Sequence, residues 1–169
     1  MAELCDTVFE ELIHHILHHH LMKLRKEIER PATMEDFAVK GEGIVSILKK
    51  MKRTQDFKGC YVLLENFRPI YFGISKSVVK GLRQHVCGTT HFSASLAYKI
   101  AKDRSPHSLK RSAAMKCAVF KRHFQDARTY LRGLNVAFVE IDCAVERYLF
   151  EVYCAIKFGT DKWNSFEEH

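Results

Sequence analysis

The chain has 169 residues, of which 47% are hydrophobic, and a formal net charge of +7. This length fits one domain, or one domain with an appendage, and is sufficient to bury a sizeable core. Because there is no run of about 18 apolar residues and no signal-peptide layout at the N-terminus, we expect an intracellular, cytoplasmic protein that does not cross a membrane.

The cysteine pattern argues against both a zinc cage and a disulfide framework. No two of the six cysteines form a CxxC pair, and several lie within apolar runs. We therefore expect reduced thiols, with several in the core, among Cys5, Cys60, Cys87, Cys117, Cys143 and Cys154.

Positive charge is concentrated in the middle of the chain. Residues 58–133 hold 15 Lys and Arg against 3 Asp and Glu, whereas residues 1–57 hold 9 against 10 and residues 134–169 hold 3 against 7. Such a distribution is expected of a protein that binds a polyanion. The alternative is that these side chains only solvate helix faces.

The first 57 residues are predicted to form a helical extension. Apolar residues recur at helical spacing from about residue 2 to residue 30, where Pro31 stops the run, and a second helical segment over residues 34–53 is expected to break near Gly41 and Gly43. This extension could cover a sheet, form a dimer interface or contact DNA.

Five histidines lie in the first predicted helix. Two pairs among them are spaced i, i+4 and could hold a transition metal, although no acid or cysteine completes a ligand set and imidazoles are ordinary on a helix surface. These histidines are His14, His15, His18, His19 and His20.

Residues 59–75 predict a β-hairpin. Apolar residues alternate along residues 60–64 and 70–74, and a turn is expected over Asn66–Pro69. Pairing residue 65 with residue 69 would place Tyr61 opposite Gly73 and put Tyr71 on the same face. A glycine beside two phenols would leave room for a ligand to approach the backbone.

These residues carry a family resemblance. Gly59-Cys60-Tyr61, then Tyr71-Phe72-Gly73, and then a helix ending in Leu82-Arg83-Gln84-His85 resemble the GIY-YIG nucleases, with Cys60 and Phe72 replacing isoleucines at buried positions. The resemblance extends from residue 59 to residue 164. It implies an α+β nuclease domain over residues 58–169: a small antiparallel sheet of about three strands, flanked by helices.

The helix predicted over residues 77–86 contains the main departure from the family. The family holds an arginine four residues before the helix histidine, and this chain has Gly81 there. Arg83 lies about 200° around the helix from position 81 and is a poor substitute. Either the chain lacks the arginine, or the register slips and Arg83 is that arginine.

A basic helical insertion is expected at about residues 88–133. One helix is expected to begin near Ser93 with Leu96 and Ile100 inward, and a longer basic helix to run from about Ser108 to Arg132, stopped by Gly133. Such a helix could follow a phosphate backbone without reading sequence. The residues assigned to nucleic-acid binding are Lys76, Arg83, Lys110, Arg111, Lys121 and Arg122.

The last segment contains a predicted third strand, residues 134–142, and a final helix, residues 144–158, closed by Gly159. Val145, Leu149, Val152 and Ile156 form its expected core stripe. In the family, this helix carries a carboxylate that an Asn follows about a dozen residues later. Glu151 with Asn164 fits that pattern better than Glu146 does.

The resemblance implies a DNA endonuclease that depends on Mg²⁺ or Mn²⁺. Glu151 would be the metal ligand, Tyr61 or Tyr71 the base, and His85 would polarise the phosphate or orient a tyrosine. Asn164 belongs to the same expected site, and Gly81 leaves the position of the phosphate-clamping arginine vacant. The alternative is a module that binds nucleic acid without cutting. Cutting both strands with one active site per chain would favour a homodimer.

Overall fold

The computed structural model describes residues 9–164, which form an α+β structure. The strands are β1 (Ala32–Thr33), β2 (Gly59–Glu65), β3 (Arg68–Ser75) and β4 (Asn135–Glu140). The helices are α1 (His18–Ile28), α2 (Ile44–Lys50), α3 (Val78–Cys87), α4 (Ser95–Arg104), α5 (Arg111–Ala114), α6 (Ala118–Arg132) and α7 (Ala144–Phe158). A π-helical segment, Leu12–Leu17, leads into α1, and a 3₁₀ helix, Met34–Phe37, follows β1. Within the described residues, no helix is both long enough and apolar enough to cross a membrane.

The four strands form one sheet in the order β1-β4-β2-β3, and β2 runs antiparallel to both of its neighbours. The predicted third strand is confirmed as β4. The additional strand, β1, has only two residues and directly follows Pro31. It is too short for an alternating pattern to reveal.

The hairpin register matches the prediction at its base and differs near its turn. Tyr61 pairs with Gly73 as expected, but Glu65 pairs with Arg68 because Ile70 forms a bulge opposite Leu63 and Leu64. The turn is therefore shorter than the predicted Asn66–Pro69. Its two central residues, at positions 66 and 67, have positive φ of 49° and 63°, as in the type I′ turns that suit the twist of paired strands.

The described residues divide into two compact units, each built from separate stretches of chain. The first comprises residues 9–32, 57–78 and 135–164, and the second comprises residues 33–56 and 79–134. Each predicted segment, the extension and the nuclease domain, thus contributes residues to both units.

The first unit buries one face of the sheet under α1 and α7. The apolar side of β2 packs with Phe72 and with β4, and residues from both helices complete the cluster. Its buried members include Leu17, Leu21, Leu24, Cys60, Val62, Leu64, Ala137, Val139, Phe150 and Cys154. Helix α1 therefore covers the sheet, one of the roles considered for the extension.

Of the stripe that its sequence predicted, helix α7 packs only Leu149 against the core. Val145 and Ile156 are 61% and 75% exposed, and Val152 is also exposed, whereas Phe150 and Cys154 are fully buried. The helix is apolar on two opposite sides, so helical periodicity alone could not decide which side packs. The side that enters the core is the one that carries the Phe150 ring, which is larger than the exposed valine and isoleucine side chains.

The second unit packs α4 against α6 and contains α3 from Val79 onward. Leu96 and Ile100 are buried as predicted, but the long helix expected from Ser108 is wrong, because the chain breaks it into α5 and α6. Ala114 and Phe120 are both buried. In one continuous helix these two positions would lie about 120° apart, so the break lets both face inward.

Candidate active site

Both triplet glycines lie where a side chain would not fit. A Cβ at Gly59 would overlap the carbonyl oxygen of Val139 on β4, and a Cβ at Gly73 would lie 2.5 Å from Cζ and Oη of Tyr61. The end of the Tyr61 ring therefore rests on the backbone of Gly73. The expected room for a ligand beside this glycine is absent, because Tyr61 itself fills the space.

Tyr71 lies beside Tyr61, with ring centroids 6.4 Å apart. Burial raises the pKa of both phenols above the usual value. Electrostatic interactions with Cys60 and Glu151 raise both pKa values further, and Tyr71 also raises the pKa of Tyr61. A hydrogen bond between the hydroxyls raises the pKa of Tyr61 and lowers that of Tyr71, as expected when Tyr61 donates to Tyr71. Both side chains are protonated at neutral pH.

Glu151, half-buried on α7, is the third predicted residue in this group. Besides burial, its negative charge raises the pKa of Tyr61, Tyr71 and Cys60, so the carboxylate lies close enough to act on all three. After burial, Glu151 is the largest influence on Tyr71, whereas on Tyr61 it ranks behind Tyr71 and Cys60. The structure thus brings together Tyr61, Tyr71 and Glu151 within the first unit.

Asn164 binds the backbone of β3 between Tyr71 and Gly73. Its side-chain oxygen accepts a hydrogen bond from the backbone N–H of Phe72 at 2.8 Å, and its Nδ2 donates to the Phe72 carbonyl at 2.7 Å. The same oxygen accepts from the Thr160 hydroxyl at 3.0 Å. Asn164 is buried, and these bonds give its amide a role in fixing the backbone between Tyr71 and Gly73.

The donor set limits what a metal ion could find here. In the part of the chain that the structure describes, no three His, Cys, Asp or Glu side chains are grouped to hold a metal ion. Glu151 alone fits a Mg²⁺ or Mn²⁺ ion that takes its remaining ligands from water and phosphate oxygens, as Mg²⁺ commonly does. It does not fit an ion held by a protein cage.

Three other predicted residues lie in the second unit, on α3. Gly81 is half-buried in the helix interior. His85 is buried, and burial lowers its pKa to about 4, so its ring is neutral at neutral pH. Arg83 donates a hydrogen bond to the Phe37 carbonyl at 3.1 Å, so part of its guanidinium ties α3 to the 3₁₀ helix.

The predicted phosphate-binding residues are mostly exposed. In the second unit these are Lys110, Arg111, Lys121 and Arg122, and in the first unit Lys76. Lys76 also lines a surface cavity of about 300 Å³ together with Arg147 and Tyr148. Exposure leaves these charges available to a polyanion, whereas Arg83 is only half-exposed.

Two other arginines of the basic helix have structural contacts. Arg128 and Arg132 both donate to the carbonyl of Val86, at 3.0 and 3.3 Å, near the C-terminal end of α3. Cationic donors at this end satisfy a carbonyl that the helix leaves open. These contacts give part of the positive charge in residues 58–133 a structural role that requires no ligand.

Sequence reasoning missed the contacts of two polar side chains, Asp56 and His20. Asp56 accepts from the backbone N–H groups of Val79 and Lys80 and so caps α3 from a distant position. His20 is buried and its Nε2 lies 2.8 Å from Oε2 of Glu146. A signal for His20 was present, since it lies in the same i, i+3, i+4 stripe as Leu17, Leu21 and Leu24.

No family model, curated protein or solved structure matches this chain in comparisons with known proteins. The resemblance to the GIY-YIG nucleases therefore depends on the sequence pattern of residues 59–164.

Proposed function

We propose that this protein is a GIY-YIG-type endonuclease that hydrolyses DNA phosphodiester bonds with Mg²⁺ or Mn²⁺, and that Gly81 limits its rate. The observation that carries the proposal is the grouping of Tyr61, Tyr71 and Glu151, in which the carboxylate acts electrostatically on both phenols. These are three of the residue types that the family pattern requires. The basic residues 58–133 give independent support for a polyanionic substrate.

Glu151 would hold the metal ion, and the bound ion would supply positive charge to the scissile phosphate. Tyr71 is the better proton acceptor of the two phenols. The hydrogen bond from Tyr61 favours its ionised form, and a cation at Glu151 would reverse the charge to which Tyr71 is most sensitive after burial. Tyr61 then positions Tyr71 rather than accepting the proton.

Gly81 removes the fixed cation that the family uses to clamp the phosphate. By comparison with other preorganised donors, its absence should cost on the order of 10²–10³ in rate. His85 does not replace that charge, because its low pKa keeps the ring neutral at neutral pH. It can still donate or accept one hydrogen bond.

The proposed substrate is DNA, bound through phosphates by the exposed residues Lys110, Arg111, Lys121 and Arg122. Affinity should fall steeply as salt is raised, since such contacts release counterions. We also propose a reducing, cytoplasmic location, which the free thiols of the described cysteines support.

Plasmid cleavage tests the proposal. We expect weak nicking by the wild-type chain, and a gain of about 10²–10³ for Gly81→Arg in Mg²⁺ or Mn²⁺. Adding Glu151→Gln to Gly81→Arg should abolish this activity, whereas adding Glu146→Gln should leave it, because Glu146 is bonded to His20 instead. If no variant cleaves the plasmid at a DNA concentration that saturates binding, the proposal of an endonuclease is refuted.

A module that binds nucleic acid without cutting is the second candidate. The raised pKa values of Tyr61 and Tyr71 and the glycine at position 81 favour it, since all three oppose catalysis. Fluorescence polarisation with a labelled duplex distinguishes the two. Binding that survives Glu151→Gln but weakens in Lys121→Glu/Arg122→Glu, with no cleavage after Gly81→Arg, would support the binding module.

A further inference from the structure

Phe92 is the most exposed large hydrophobic side chain of the described residues, at 79%. It lies in the second unit, in the turn between α3 and α4. Single exposed apolar residues are normal on a protein surface. An aromatic ring that is held rigidly beside positive charge has a further use, because a flat ligand can stack on it with little loss of conformational entropy in the protein.

The turn that carries Phe92 is braced on both sides of the ring. The Ser93 backbone N–H donates to Oγ1 of Thr90 at 3.1 Å, and the Thr90 N–H donates to Oγ of Ser93 at 3.3 Å. The turn also rests against the chain just after α3, where a Cβ at Gly88 would lie 2.7 Å from Oγ of Ser93. These contacts fix the backbone before and after His91 and Phe92.

A line of ring contacts connects Phe92 to a cation. The centroid of the His91 ring lies 4.0 Å from that of Phe92 and 6.0 Å from that of Tyr98. The guanidinium carbon of Arg111 lies 5.5 Å from the Tyr98 centroid, and Arg111 is exposed. Phe92 and Arg111 are therefore at most about 16 Å apart, less than five times the ~3.4 Å rise per nucleotide of a DNA strand. One short stretch of nucleic acid can contact both.

The charge of this part of the chain identifies what would cover the ring. Residues 79–134 hold 12 Lys and Arg against 2 Asp and Glu, and Lys110 is exposed next to Arg111. A polyanion that also carries flat apolar groups is a nucleic acid, and proteins that bind single strands combine basic surfaces with aromatic rings on which bases stack. In a continuous duplex the bases stack on one another, so a protein ring reaches only a base that has left the stack.

We propose that Phe92 stacks on an unpaired base, and that the DNA bound by this protein includes a single-stranded segment. The inference rests on the proposed function for the identity of the polyanion and adds the class of DNA. Arg111 and Lys110 would contact phosphates near the stacked base. Stacking on one protein ring accounts for about 5–150-fold in affinity, which is the loss that we expect when the ring is removed.

Fluorescence polarisation of the full chain with a labelled oligothymidylate of about 20 nucleotides tests the inference, in EDTA so that no strand is cut. The wild type should bind this strand at least as tightly as the matching duplex. Phe92→Ala should weaken binding of the strand by about 5–150-fold and leave binding of the duplex within about twofold. Val45→Ala is the matched control, since Val45 is 77% exposed in the same unit, and it should change neither affinity.

Two comparisons separate stacking from charge and from apolar contact. A strand of the same length made of abasic nucleotides keeps the phosphates, so the wild type and Phe92→Ala should bind it equally. Phe92→Trp keeps a flat ring and should retain binding of the single strand, whereas Phe92→Leu keeps only an apolar side chain and should lose most of the effect. Because Phe92 is exposed, all these variants should keep the circular dichroism of the wild type.

Several results would overturn the inference. These are equal affinities of wild type and Phe92→Ala for the single strand, equal losses for strand and duplex, a loss that persists with the abasic strand, and a duplex that the wild type binds more tightly than the strand. If one of these results is found while Lys121→Glu/Arg122→Glu still weakens duplex binding, the proposed function stands without the inference. A wild-type chain that binds neither strand nor duplex would refute both.

Discussion

The contact between Tyr61 and Gly73 gives the sharpest test of the candidate site. In Gly73→Ala the new methyl group would start 2.5 Å from Cζ and Oη of Tyr61, whereas ordinary contacts begin near 3.4 Å. The tyrosine ring must therefore move by about 0.9 Å. Tyr61 is only 4% exposed, so the ring has little free space into which to move.

The cost follows from three contributions. Forcing an extra methyl group into a packed core costs about 1–3 kcal/mol, and losing the hydrogen bond from Tyr61 to Tyr71 costs about 1 kcal/mol. Replacing glycine by alanine returns about 0.4–1 kcal/mol by restricting the unfolded chain. The free energy of unfolding should thus fall by about 1–3 kcal/mol, which lowers Tm by roughly 3–10 °C for a chain of this size.

Thermal unfolding followed by circular dichroism measures this loss. Gly133→Ala is the matched control, because a Cβ there meets only the Tyr130 carbonyl oxygen at an ordinary 3.4 Å. In a Tyr61→Leu background, which lacks the clashing atoms, Gly73→Ala should cost little. The reasoning is refuted if Gly73→Ala is no more destabilising than Gly133→Ala, or if its penalty is the same in both backgrounds.

Two further predictions concern Asn164 and His85. Asn164→Ala leaves the Phe72 N–H and carbonyl without their partner and should lower the free energy of unfolding by about 2–4 kcal/mol. Urea unfolding followed by the fluorescence of the single tryptophan, Trp163, measures this loss. An unchanged midpoint would contradict the role of Asn164 in holding the β3 backbone. Burial lowers the pKa of His85 to about 4, whereas a histidine in the unfolded chain titrates near 6.5. Between these pH values the unfolded state binds more protons than the folded state. The free energy of unfolding should therefore fall by up to about 3 kcal/mol as the pH drops from about 6.5 to 4. His85→Gln should remove this part of the pH dependence; a curve that keeps its slope in the variant would assign it to other groups.

Local patterns predicted the hairpin well. Alternation along residues 60–64 and 70–74 was enough to pair Tyr61 with Gly73, because a slip of one residue would turn Cys60, Val62 and Phe72 away from the core. The end of α7 at Gly159 was equally readable, since this residue adopts the left-handed conformation that glycine favours, with φ of 63°. The grouping of Tyr61, Tyr71 and Glu151 followed from the family pattern, which the alternation alone did not contain.

The remaining features depend on contacts between residues far apart in the chain. Asp56 caps α3 across 23 residues, and Asn164 reaches Phe72 across 92. Neither a capping pattern nor a strand pattern spans such distances. On α7 the prediction was wrong for Val145, Val152 and Ile156 for a related reason, since only the shape of the core distinguishes these residues from Phe150. The two units escaped prediction because each collects its residues from separate stretches of the chain.

Strand β3 is the outer strand of the sheet beyond β2, and its free edge presents backbone groups that could pair with another chain. At Phe72, Asn164 makes both hydrogen bonds that one residue of an added strand would make. A proteolytic cut or early stop codon before residue 160 would remove this cover and leave the edge open. Such shortened chains would be aggregation-prone, so the C-terminal segment also protects the protein against self-association through its sheet.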